Sequence, residues 1–167
     1  MILIVEGSNQ TGKTDFTTKL KEYLKNCEIN VTTSNFMGNN TIDIIDEFVE
    51  ALKNDLENKD KFNVFIFDSF YLSAIVNKKI GFEEFWKLDQ FISEIPFVEQ
   101  IFLASTFSHI EDKANNFEYQ RKQYQMLMEV MKCHSVFSVE FIDSNEDTDA
   151  LALNYARKIR KQFGLIN

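Results

Sequence analysis

The sequence predicts an α/β domain in three layers, a five-stranded parallel sheet flanked by helices. Three observations carry this. Short apolar, β-branched runs alternate with stretches of helical periodicity along the whole chain, the pattern of a parallel sheet with crossover helices. The run Phe62 to Phe67 is apolar throughout except at Asn63, as a strand covered on both faces requires. And Gly7-Ser8-Asn9-Gln10-Thr11-Gly12-Lys13-Thr14 fits G-x-x-x-x-G-K-[ST], the phosphate-binding P-loop, with an apolar run before it and a helical pattern after it. The 167 residues are read as a single P-loop domain, 1–167, large enough to bury a core without disulfide staples.

Taken in order, Met1 to Val5 reads as a buried strand that delivers the loop. Asp15 to Lys25 carries Phe16, Leu20, Tyr23 and Leu24 at helical spacing. Ile29 to Thr33 is a short second strand, followed by a polar loop around Phe36, Met37 and Gly38. Thr41 to Asn58 is a helix whose stripe runs through Ile42, Ile45, Phe48 or Val49, Leu52 and Leu56. The third strand ends at Asp68. Tyr71 to Val76 is helical, Gly81 interrupts, and Phe82 to Ile92 resumes the helix. Val98 to Ala104 is a fourth strand. A polar stretch, 105–116, reads as a flexible lid, and Phe117 to Met131 as a long amphipathic helix. Ser135 to Ile142 is a fifth strand, and Asp147 to Phe163 a final helix stopped by Gly164.

Composition narrows the function. A net charge of −8 argues against non-specific binding to DNA or RNA, which needs basic patches. It leaves room for a small anionic ligand in a local positive pocket. Cys27 and Cys133 are far apart, and His109 and His134 form no ligand pair, so all four read as ordinary residues. The N-terminal run lacks a signal-peptide pattern, and no apolar run approaches the ~18 residues of a membrane span. The expectation is a cytoplasmic chain with a small-molecule partner.

The P-loop implies a bound nucleoside triphosphate. Gly7 and Gly12 free the backbone to turn its N–H groups, with those of Ser8, Asn9, Gln10 and Thr11, toward phosphates. Lys13 reaches the β- and γ-phosphates, and the Thr14 hydroxyl serves Mg²⁺. Asp68, at the end of an apolar strand, is placed to hold Mg²⁺ through its water shell, or else as a helix N-cap. Glu6 either acts on a substrate as a base or hydrogen-bonds the loop. In a parallel sheet such residues share one crevice beyond the strand ends, with Phe36, Ser105 and Asp143.

Val5-Glu6-Gly7-Ser8-Asn9-Gln10-Thr11-Gly12-Lys13-Thr14 resembles the E-G-x-D-x-x-G-K-[ST] loop of thymidylate kinases. Phe65-Ile66-Phe67-Asp68-Ser69-Phe70-Tyr71-Leu72-Ser73-Ala74 resembles the D-R-Y-x-x-S segment of the same family. Lys78 to Gly81 lies where that family has a glycine-rich turn, and Glu111 to Tyr124, with Phe117, Arg121 and Tyr124, resembles its lid and following helix. The order agrees over most of the chain. The resemblance implies a five-stranded parallel sheet, ATP, Mg²⁺, phosphoryl transfer to a nucleotide, and commonly a homodimer. It implies roles for Lys13, Thr14 and Asp68 as above, an acceptor pocket lined by Phe36, Phe70 and Tyr71, and adenine near Asp143 to Asp147.

Several positions depart from that family. Asn9 replaces the loop Asp, Ser69 replaces the Arg of D-R-Y, and 105–116 contains no arginine. The chain holds only Arg121, Arg157 and Arg160. Transfer between two phosphates gathers negative charge that arginine forks normally clamp. Lys79 and Lys113 are the expected substitutes, with Lys78, Lys122 and Arg121 nearby; Arg157 and Arg160 complement the end of the last helix. Three functions follow: an ATP- and Mg²⁺-dependent kinase of a deoxynucleoside monophosphate, dTMP first; a deoxynucleoside kinase acting on a 5′-hydroxyl; or a nucleotide-binding regulatory subunit without kinase activity.

Overall fold

A computed structural model describes residues 1–7, 11–35, 40–57, 62–105, 138–142 and 145–166, together with 122, 125, 126 and 129, which are helical. The described elements run β1 (Ile2–Gly7), α1 (Lys13–Lys25), β2 (Asn30–Ser34), α2 (Thr41–Glu57), β3 (Asn63–Asp68), α3 (Tyr71–Val76), α4 (Phe82–Ser93), β4 (Val98–Ser105), β5 (Ser138–Ile142) and α5 (Asn145–Gln162). Of the expected lid at 105–116, Ser105 instead ends β4 and 106–116 lie outside the described residues, as does most of the helix expected at 117–131.

The strands form one parallel sheet of order β2-β3-β1-β4-β5. β1 is central, and all six of its residues are buried. Because side chains alternate along a strand, β1 feeds two cores. Ile2 and Ile4 pack with Ile44, Phe48, Phe67, Phe70, Tyr71, Phe85 and Phe102 under α2, α3 and α4. Leu3 and Val5 pack with Phe16, Leu20, Leu24, Ile66, Leu103, Tyr155 and Ile159 under α1 and α5. Helices therefore cover both faces, and the layers are three.

The α2 stripe differs from the expected one. Ile44, Phe48 and Ala51 are buried, whereas Ile42 is 69% exposed. The i, i+4, i+7 set with the small Ala51 fits against Phe67 and Phe70, which stack with Phe48 at 6.2 and 6.0 Å. The more hydrophobic-looking Ile42 and Ile45 are left outside, since sequence periodicity does not show which face meets a neighbour.

A candidate nucleotide-binding site at the strand ends

The strand-end crevice is built from β1, α1 and β3. Gly7 ends β1 at φ 153°, and a Cβ there would sit 2.4 Å from the Leu103 carbonyl oxygen of β4. Only glycine lets the chain leave the sheet this close to its neighbour. Gly12 has φ 78° and occupies the N-cap of α1, so the chain enters the helix through a left-handed residue. Gly7 and Gly12 thus bracket the turn. Ser8, Asn9 and Gln10, between them, lie outside the described residues.

Lys13 opens α1 and is 9% exposed. Its ammonium donates to the Gly7 carbonyl at 2.8 Å, across the loop. Burial pushes its pKa down, and the nearby carboxylates of Glu6 and Asp68 oppose that shift. A cation held this way is poorly hydrated, so an incoming phosphate meets a charge with little water to displace.

Thr14 and Asp68 meet from different elements. The Thr14 hydroxyl donates to Asp68 Oδ2 at 2.8 Å, and the Thr17 hydroxyl lies 3.5 Å from the same oxygen. A cleft of about 310 Å³ opens beside them, lined by Thr14, Thr17, Thr18, Lys21, Thr33, Ser34, Asn35 and Asp68. Lys21 donates to Thr33 at 3.1 Å across this cleft. Sequence reading missed Lys21 and the hydroxyl-rich lining. Its only signal is position: Lys21 lies seven residues after Thr14, two turns along one helix face.

Other expected site residues sit elsewhere. Glu6 is fully buried; Oε1 accepts from the amides of Phe70, Leu72 and Ser73 at 2.9, 2.9 and 3.4 Å, and Oε2 from the Ser73 hydroxyl at 2.6 Å. Burial raises its pKa, while the Ser73 bond and the Lys13 charge pull it back. A base at this position would need reach to a substrate proton; the carboxylate is instead committed to the start of α3. The expectation that Phe70 and Tyr71 line an acceptor pocket is corrected likewise. Both are core residues, 1% and 0% exposed, and neither lines the cleft. The Tyr71 hydroxyl contacts Asp89 at 2.8 Å and Gln100 at 2.7 Å in the interior. An aromatic after a strand end suggests a base platform, but beyond the left-handed turn at Ser69 the Tyr71 ring stacks on Phe85 of α4 at 5.6 Å instead. Lys79 follows α3 and is partly exposed, its amide donating to the Ala74 carbonyl at 2.9 Å. Phe36, Lys113, Arg121 and Asp143 lie outside the described residues.

Solved structures share this fold. YorR protein from Bacillus subtilis, crystallised in complex with phosphorylated GDP, is similar with a TM-score of 0.66 at 16% identity, over 98% of each chain. Thymidylate kinase from Ehrlichia chaffeensis is similar with a TM-score of 0.61 at 15% identity, over 93% of this chain and 97% of that one. This is a thymidylate kinase-like P-loop kinase fold. No protein-family model and no curated protein matches the sequence. In this kinase-like frame the P-loop follows the central strand, and Thr14 and Asp68 stand at the ends where α1 begins and β3 stops. Among the described residues no helix is long and apolar enough to cross a membrane.

Proposed function

We propose that the chain transfers the γ-phosphoryl group of ATP to a deoxynucleoside monophosphate, with dTMP the first acceptor to test. The observation that carries this reading is the convergence of Lys13, Thr14 and Asp68 around a loop bracketed by Gly7 and Gly12. Loop amides and Lys13 bind and orient the triphosphate, and Lys13 offsets charge on its β- and γ-oxygens. In the transfer the bond between the γ-phosphorus and the β,γ-bridging oxygen breaks. A bond forms from an acceptor phosphate oxygen to the γ-phosphorus.

The donor set suits Mg²⁺. One hydroxyl and one carboxylate oxygen, 2.8 Å apart, are hard ligands of the kind that ion takes from a protein while substrate phosphates and water supply the rest. Bound there, the ion would neutralise charge on the phosphates. Cytoplasmic location and a role in nucleotide biosynthesis belong to the same proposal. So does a homodimer: Ile42, Phe82 and Trp86 are exposed on α2 and α4, whose first turns are joined by a Thr41–Glu84 hydrogen bond of 3.0 Å.

One observation favours a second reading, a deoxynucleoside kinase. The cleft beside Asp68 is rich in hydroxyls and holds a single cation, Lys21, among its described lining residues. Such a lining suits a sugar as well as a phosphate. Asp68 is then the acid nearest the hydroxyl, because Glu6 is enclosed.

The test is ATP consumption with Mg²⁺ against common nucleosides and their monophosphates, with Lys13→Ala as control and Lys21→Ala as discriminator. Turnover with one monophosphate, lost in Lys13→Ala, supports the first reading; a raised acceptor KM in Lys21→Ala would place the acceptor phosphate in the cleft. Turnover only with a nucleoside selects the second. Tight ATP binding with no turnover across the panel would leave the regulatory, non-catalytic reading standing.

A further inference from the structure

We propose that Glu6 is a positioning residue: its buried carboxylate latches the turn Ser69–Phe70 and so sets Asp68 against Thr14. The inference rests on the kinase reading only in taking Asp68 as a working residue.

Asp68 is followed at once by a backbone conformation that side chains avoid. Ser69 has φ 73°, the left-handed region that favours glycine. A residue stays in that region only where its surroundings hold it there. Two consecutive residues of β1 supply the hold. The Val5 carbonyl accepts from the Ser69 amide at 2.9 Å. The next residue, Glu6, accepts from the Phe70 amide at 2.9 Å with its side chain.

Glu6 then does for α3 what a local cap would do. The first amides of a helix have no partner within it. Phe70, at the N-cap, offers no side-chain bond. The Leu72 and Ser73 amides turn to Glu6 Oε1 at 2.9 and 3.4 Å, and the Ser73 hydroxyl to Oε2 at 2.6 Å. The cap thus comes from a residue 64 positions upstream of Phe70, beside the P-loop glycine. With both oxygens engaged and no surface exposed, the carboxylate is built as a clamp. Its product is the place of Asp68, whose Oδ2 receives the Thr14 hydroxyl at 2.8 Å. Ser73 belongs to the same device, so the serine of the D-x-x-x-x-S segment is the partner of the glutamate before the P-loop.

The experiment compares Glu6→Gln, Glu6→Ala and Ser73→Ala with the unmodified chain. It reads amide hydrogen exchange at Phe70, Leu72 and Ser73 without nucleotide, the ratio of ATP affinities with Mg²⁺ and with a chelator, and turnover. A glutamine carbonyl can accept all three amides while its NH₂ donates to Ser73 Oγ, so Glu6→Gln rescues the latch. Its exchange rates and turnover are expected within about threefold of the parent, against the ~10²–10⁴-fold loss that removing a general base produces. Glu6→Ala is expected to speed exchange at those amides by roughly 10–100-fold as the turn opens locally. Its Mg²⁺-dependent gain in ATP affinity should fall by about tenfold, as when a partner that orients a metal ligand is lost. Ser73→Ala, which removes one bond and keeps the carboxylate, should move both readouts the same way by less, and it carries the test if Glu6→Ala does not fold.

A Glu6→Gln chain with normal exchange and normal Mg²⁺ dependence but turnover down ~100-fold would overturn the latch in favour of a base. Unchanged exchange in Glu6→Ala and Ser73→Ala would overturn it as well. If the unmodified chain binds no ATP, the kinase reading fails, and the exchange rates alone still decide whether Glu6 holds the turn.

Discussion

The Thr14 hydroxyl donates to Asp68 Oδ2 at 2.8 Å although 54 positions separate the two residues in the chain. α1 brings one and β3 the other, and they meet because β1 and β3 pair in register, Val5 beside Asp68. Thr14→Val keeps the shape and removes the hydroxyl. It is expected to lower Mg²⁺-supported ATP affinity by at least the ~10–100-fold typical of a lost outer partner. Stability should fall by about 1–3 kcal/mol, because the bond is part-buried and the buried Asp68 carboxylate loses a donor. Calorimetric titration with and without Mg²⁺ checks the first, thermal melting the second, and Thr14→Ser should restore both.

Gly7→Ala tests the close approach of the loop to β4. The added Cβ would lie 2.4 Å from the Leu103 carbonyl oxygen and 2.8 Å from Thr11 Oγ1, and the first is backbone that cannot swing away. Overpacking of that kind, added to the strain of a positive φ, costs about 2–4 kcal/mol. A domain of this size then loses roughly 4–16 °C in Tm. A melting curve within a degree of the parent would refute the close approach.

Stability should depend on pH through Glu6. Burial raises its pKa in the folded chain above the ordinary glutamate range. A raised folded value means that the native state favours the protonated form. The stabilisation is then complete below the unfolded value, about 4.3, and is lost as pH rises through the folded value. Lys13, which faces Glu6, has its pKa lowered by burial and so resists carrying its full charge at alkaline pH. Glu6→Gln cannot ionise. Its stability relative to the parent should be least near pH 4 and grow as pH rises, read by denaturant unfolding across a pH series; a flat difference would contradict the prediction.

Tyr71→Phe probes the interior on the α4 side. The hydroxyl lies 2.8 Å from Asp89 and 2.7 Å from Gln100, and all three residues are buried. Removing it strips a hydrogen-bonding partner from buried polar groups and should cost about 1–3 kcal/mol. ATP binding should be preserved, since Tyr71 does not line the cleft. Loss of acceptor binding with stability intact would return Tyr71 to the acceptor pocket.

The sequence alone determined the layers and the loop. Alternating apolar and helical runs specify a parallel sheet with helices, because each element must bury one face or both, and the G-x-x-x-x-G-K-T spacing marks where the chain must turn without a Cβ. Periodicity also located Asp68 at a strand end. Tertiary structure decided what each side chain faces. Glu6 reads in the sequence equally as a strand-end base or as a hydrogen-bond partner of the loop; the path of α3 brings its N-terminal amides onto that carboxylate. Phe70 and Tyr71 looked like pocket aromatics, yet the left-handed turn at Ser69 sends them into the core beneath α2 and α4. Lys21 carries no motif in the sequence; only the fold, through β2, places Thr33 opposite it. These assignments depend on contacts between residues 12 to 66 positions apart, which local pattern does not encode.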